Sequence, residues 1–431
     1  MTDLTLSKGN LKILGRLFRM HRVKANFSLR GIARSENIAH TLVSDIENAK
    51  IYPNAETLKG LFRQVGVKLW TDMDALAEIK ADIDKFHDAI YYREHDYARR
   101  IFNKYGMKNN RLFYSLLLVD YVLMRLIASS VLENDYDEQE IERLKVFYEH
   151  MNESQKQIFN VVQGRHFVDT GDLGTAKKVL LRNHNLNVNT KVSGATYSLL
   201  AECAKRTYHA FDAVDYGRQA SNLHAEHANL PRKIEIDALV VNVLIDIGRF
   251  RDARKMLNII TMTVDENDKE TRVTRRYLRF LWSYYYFRLN RPKQALETLM
   301  SVHHSEDDNQ EPSYHYYKAE ILVALDQKAR AINTLDEGLA NEKTRMHPIY
   351  GPLVEIFKKR LMDKMDSTLE ARVEELIPRL NHIEDYAVFR QAYRFVIDFF
   401  AARQNHEKAL ELAIAFIETP KHGYETNQET T

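Results

Sequence analysis

A small residue returns at Ala176, Ala213, Ala253, Ala295 and Ala331, at intervals of 37, 40, 42 and 36 residues, and again at Ala409, 78 further on. Its setting is the same each time. An apolar helical stretch leads into a polar turn, such as Ile247-Gly-Arg-Phe250 or Leu289-Asn-Arg-Pro292, and the small residue then opens a second helical stretch. A leucine follows four positions later at Leu180, Leu257, Leu299 and Leu335, on the same helix face. The small side chain lets two helix backbones approach where they cross, and the leucine fills the gap against the next pair. A single hairpin of this size buries too little to stand alone, so successive hairpins must stack. Weak copies fall near Ala371 and Ile141, and Ala98 begins the series, which makes about nine hairpins.

This pattern resembles the tetratricopeptide repeat over roughly residues 75–420, at a spacing longer than the consensus of about 34. The resemblance implies a right-handed α-solenoid whose first helices line a concave face. Composition agrees: 8 prolines and 15 glycines in 431 residues, with no strand-like alternation, favour an all-α protein.

Ahead of the repeats, residues 28–58 read as two short helices, a tight turn and the start of another helix. Leu29, Ile32 and Ala33 give the first an apolar face, and Leu42, Val43 and Ile46 give the second one. Asn37 stands in the turn, where a left-handed backbone is needed. Two such helices require the amphipathic segments Leu11 to His21 and Ala55 to Val65 to complete a core. The stretch resembles the Xre-type, lambda-repressor-like helix-turn-helix family across residues 10–70, through Ile32-Ala33, the run Ile38 to Glu47, and Pro53 followed by Glu56-Thr57-Leu58. That implies DNA binding, with the helix from Ala39 to Asn48 in the major groove. Its outward positions, His40, Thr41, Ser44 and Asp45, would then face base edges.

Charge is divided to match. Residues 1–70 carry 12 Lys and Arg against 5 Asp and Glu, while the rest carries 50 against 55. Arg16, Arg19, Arg22, Lys24, Arg30, Arg34, Lys50 and Lys59 are candidates for phosphate contact, and Arg16, Arg30, Arg34 and Lys50, together with Asn48, are expected to make the principal ones. The expected organisation is a DNA-binding domain over 1–70, a helical linker over 71–81, a repeat domain over 82–420 and a flexible tail over 421–431.

Within the repeats, positions one residue after each crossing residue, and a turn to either side, face the groove. They include Arg165, Asp169, Ser198, Glu202, Arg206, Asn242, Tyr284, Arg288, Tyr316 and Glu320. Amides, both signs of charge and aromatic faces suit an extended peptide: Asn pairs with a backbone amide, Arg takes a carboxylate, and Tyr packs apolar side chains. The residues expected to bind the peptide are Arg165, Asp169, Glu202, Arg206, Asn242, Tyr284, Arg288 and Glu320. A helix-turn-helix followed by such an array resembles the peptide-pheromone receptors of Gram-positive bacteria and their phages, the Rap, NprR, PlcR, PrgX, Rgg and arbitrium-receptor group. In layout and size it is most similar to the NprR type. This resemblance implies a homodimeric, quorum-sensing transcription regulator whose array binds a short signalling peptide. Repeats that bind a protein partner, or only dimerise, are the alternative.

Other chemistry lacks its residues. Gly171-Asp-Leu-Gly174 has no lysine or preceding strand for a phosphate loop, and no cofactor site is evident. His224 and His227 have helical spacing for a metal but no third ligand, and read as a solvated hairpin end. His303 to Asp308 reads as a charged loop, and Cys203 as a small buried hydrophobe. One cysteine forbids a disulfide within the chain, and no 18-residue apolar run exists, so a cytoplasmic, non-enzymatic protein is expected.

Overall fold

Hairpins of this kind depend on how their first helix stops, and here the stop is a repeated backbone device. Arg93, Tyr208, Gly248, Asn290, Asp326 and Gln404 all have positive φ, between 57° and 76°. In each case the next residue's N–H reaches back five positions. Glu94 bonds Ala89 O at 2.8 Å, His209 bonds Ala204 O at 2.8 Å, and Asn405 bonds Phe400 O at 3.0 Å. Such a left-handed turn satisfies the last carbonyls of a helix and turns the chain back on itself. Gly248 adopts it without strain and Asn290 and Asp326 tolerate it, whereas the side chains of Arg93, Tyr208 and Gln404 each cost roughly 1–2 kcal/mol.

A computed structural model describes residues 8–51, 53–105, 111–133, 136–186, 188–264, 271–301, 313–363, 367–382 and 386–418. Every regular element among them is helical. The chain divides into two compact units, residues 1–199 with 223–231, and residues 200–222 with 232–431. The first opens with α1 (Lys8–Lys24), α2 (Leu29–Ser35), α3 (His40–Glu47) and α4 (Ala55–Gln64). Three hairpins follow: α5 (Met73–Tyr91) with α6 (His95–Tyr105), α7 (Leu118–Ala128) with α8 (Glu138–Lys145), and α9 (Glu153–Asp169) with α10 (Leu173–Leu181). The division between the units falls within α11 (Thr190–Arg206), α12 (Ala210–Glu226) and α13 (Leu230–Asp246). The second unit continues with α14 (Phe250–Thr263), α15 (Thr271–Arg288), α16 (Pro292–Met300), α17 (Ser313–Ala324) and α18 (Lys328–Ala340). It ends with the short α19 (Glu342–Met346), then α20 (Tyr350–Leu361), α21 (Ser367–Leu376), α22 (Tyr386–Ala402) and α23 (His406–Glu418).

The small residues do close packing. Ala98, Ala176, Ala213, Ala253, Ala295 and Ala331 are completely buried, as are Leu180, Leu257 and Leu335. Gly164 lies so close to Leu180 that a Cβ there would stand 2.4 Å from Leu180 Cδ2. Ala371 departs from the pattern, being exposed; Leu369 and Val373 carry the burial of α21 instead. The preceding helix, α20, is instead packed tightly against α19: a Cβ on Gly351 would be 2.4 Å from the carbonyl oxygen of Arg345.

In the first unit the core runs without interruption from Ile13 and Phe18 of α1, through Phe86 of α5, to Phe159 of α9. The initial helices are therefore fused to the first hairpins. His21 meets the Tyr114 ring edge-on at 5.5 Å, and Trp70 N–H donates to Tyr114 O at 2.8 Å. No helix among the described residues is long and apolar enough to cross a membrane.

Candidate functional site

α3 is held from behind and open in front. Val43 and Ile46 are buried, and α1 approaches so closely that a Cβ on Gly15 would lie 2.5 Å from Ile46 O. Ser28 caps α2 by accepting from Gly31 N at 3.0 Å. Asn37 carries the turn with φ 53°, after which Ile38 N–H donates to Ala33 O at 2.9 Å. Ala39, at the start of α3, offers no side-chain cap, so the N–H groups of exposed His40 and Thr41 remain as donors, while that of Leu42 donates to Ala39 O at 3.0 Å.

Ser44 and Asp45 are half-exposed on the same face. Asp45 lies 3.7 Å from Lys50, and the Asn48 amide donates to Ser44 O at 2.7 Å. Arg30 and Arg34 are exposed; Arg16 is half-buried, with its charge felt by His150. Arg22, read as a phosphate contact, has a structural partner instead. Its guanidinium makes paired bonds of 2.5 and 3.1 Å to the carboxylate of Glu47, tying α1 to the end of α3.

Of the residues expected to line a peptide groove, the first unit holds Arg165 and Asp169, one helical turn apart on α9 with 3.8 Å between their charged atoms. The Tyr136 hydroxyl also donates to Asp169, at 2.6 Å. In the second unit, Asn242 on α13 is 5% exposed and makes no side-chain hydrogen bond with any described residue. One turn on, Asp246 accepts from the Tyr284 hydroxyl at 2.5 Å, while Arg288 donates to Asp246 at 3.4 Å and to the Tyr284 oxygen at 3.0 Å. Tyr284 and Arg288 thus form one knot with Asp246, which sequence spacing did not reveal. Glu202 and Arg206 are half-exposed on α11.

Glu320 lines a cavity of about 260 Å³ between α17, α20 and α22. Tyr316 lies in its wall with the Phe357 ring 5.4 Å away, and burial pushes the Tyr316 hydroxyl far above the usual tyrosine range. Beside it, His315 is 4% exposed, and its Nδ1 has no hydrogen-bond partner. Burial lowers its pKa below the ordinary 6.5, so the folded protein holds it neutral. Below about pH 6.5 the unfolded chain binds a proton there that the folded chain refuses, so stability falls as pH falls. Thermal midpoints measured from pH 8 to pH 5 are expected to decline less steeply in His315→Leu.

His224 corrects the expectation of a solvated hairpin end. It is completely buried, with Nδ1 3.0 Å from the Tyr91 hydroxyl and Nε2 3.0 Å from Ser198 Oγ. His227 Nε2 lies 2.7 Å from Thr190 Oγ1. Both are parts of a polar seam in the first unit, and no metal-binding cluster occurs among the described residues. The loop from His303 to Asp308 lies outside the described residues.

No family model and no curated protein matches this sequence. Solved structures do match. A Rap protein complexed with Competence and Sporulation Factor superposes with a TM-score of 0.61 at 13% identity, over 80% of this chain and 98% of that one. The apo form of the quorum sensor NprR from B. thuringiensis gives 0.60 at 16%, over 80% and 99%. NprR in complex with its cognate peptide NprX gives 0.60 at 15%, over 80% and 100%. The chain has the helical-repeat fold of these quorum-sensing proteins.

Proposed function

We propose that this protein is a cytoplasmic transcription regulator. It reads operator DNA through α3, and a short signalling peptide bound along its array changes its hold on that DNA. One arrangement carries the reading: an open polar helix face, backed by a core continuous with the first hairpins of an array whose fold is that of solved peptide receptors. His40, Thr41, Ser44 and Asp45 face the bases, while Arg30, Arg34, Arg16, Asn48 and Lys50 supply phosphate contacts. The buried Asn242 amide offers one donor and one acceptor to a peptide backbone. No catalytic step is assigned to any residue.

The protein acts as a homodimer that sets two α3 helices about 34 Å apart, on successive turns of the major groove. The peptide changes that spacing only to the extent that it prefers one arrangement of the array over another. Mobility shift on DNA from the gene's own upstream region, with and without culture-derived peptides, tests both halves. Specific binding that responds to peptide supports the reading. Specific binding indifferent to every peptide removes the peptide and leaves a regulator whose repeats serve another partner.

A further inference from the structure

Carboxylate recognition by the array needs an arginine that is not already committed. Arg288 is held by Asp246 and Tyr284, and Arg165 faces Asp169. Arg360, near the end of α20, is different. Its guanidinium lies over the Phe395 ring, 5.4 Å from the centroid, at the edge of the cavity between α17, α20 and α22. It forms no ion pair or hydrogen bond with any described residue.

The carboxylates lining the same cavity both have partners. Glu320 is hydrogen-bonded to Tyr316, and Asp398 lies 3.8 Å from Arg394. The rest of the lining is apolar, with Leu353, Ile356, Phe357 and Ala392. At about 260 Å³ the cavity falls just below the roughly 300–1,000 Å³ of a complete ligand site, which suits one residue of a longer ligand.

We propose that this cavity is the subsite for a carboxylate with a large apolar side chain next to it, Arg360 gripping the carboxylate and the apolar floor taking the side chain. The inference rests on the peptide reading and adds a polarity to it: the carboxylate end of the ligand lies toward α20 and α22. A guanidinium presents two parallel N–H donors that match the two oxygens of a carboxylate. Stacked on Phe395, it is positioned before the ligand arrives, so less side-chain freedom is lost on binding. The carboxylate belongs either to a chain terminus or to an Asp or Glu side chain.

The test uses the full chain as bait for defined hexapeptide mixtures ending in Leu, Ile or Phe, with retained peptides read by mass spectrometry. One mixture has free carboxyl ends and no Asp or Glu, a second is the same mixture amidated, and a third is amidated with an Asp or Glu before the last residue. Retention of the first over the second by roughly tenfold is expected, and R360Q should remove that preference without weakening the amides. Retention of the third as strongly as the first assigns the carboxylate to a side chain and still supports the subsite. Equal retention of acids and amides, or a preference that survives R360Q, overturns the subsite while leaving peptide binding intact. Failure to retain any peptide overturns both. Arg360 is exposed, and an unchanged thermal midpoint in R360Q shows that the fold is unaffected.

Discussion

Changing His40, Thr41 and Ser44 together to alanine is expected to lower affinity for operator DNA at least about a hundredfold, while affinity for unrelated DNA stays nearly constant. Each good contact to a base edge contributes about 1–3 kcal/mol of discrimination, so the loss of three exceeds that threshold even at the lower bound. Folding should not suffer. His40 and Thr41 are exposed and Ser44 is half-exposed, while Val43 and Ile46 behind them carry the packing. The companion change, Arg30→Ala with Arg34→Ala, should behave otherwise, weakening all DNA alike and flattening the salt dependence by about two units of slope. Mobility shifts across a salt series on operator and scrambled DNA separate the two behaviours. If the triple variant binds operator as tightly as the parent, α3 is not the reading helix.

Asn242→Leu is expected to separate binding from stability. The Asn242 side chain is largely buried while its amide keeps a little solvent contact, so an apolar side chain of similar size removes only part of a desolvation cost. Thermal stability should therefore hold or rise. The peptide would meanwhile lose two hydrogen bonds and bury its own backbone groups unpaired, about 2–3 kcal/mol together, or thirty- to a hundredfold in affinity. Calorimetric titration with a captured peptide, beside thermal unfolding, measures both. A variant that loses stability and keeps its peptide affinity would make Asn242 a structural residue.

What the sequence disclosed about this chain follows from how local each requirement is. The crossing alanines were legible because a helix crossing demands a small residue wherever it occurs, and one helix turn on either side gives the context. Ala371 misled for the same reason: it matched the local pattern, while Leu369 and Val373 on the same helix take the buried positions. His224 was illegible because its partner Tyr91 is 133 residues away in the chain. The knot of Asp246, Tyr284 and Arg288 joins α13 to α15, so residue types alone made Arg288 look available. Arg360 and Phe395 went unnoticed because neither α20 nor α22 advertises its groove face through a regular small-residue marker.

The turns between helices explain how such a chain drifts. Arg, Tyr, Gly, Asn, Asp and Gln all occupy one backbone conformation, closed by the same five-residue N–H to carbonyl bond. The side chain there records almost nothing of the architecture, and most positions on the outer helix faces are equally unconstrained. Descendants of one ancestral array can therefore exchange nearly every letter between the crossing points and still assemble the same scaffold. Kinship in such a lineage is preserved in the intervals between alanines long after it has faded from the alphabet itself.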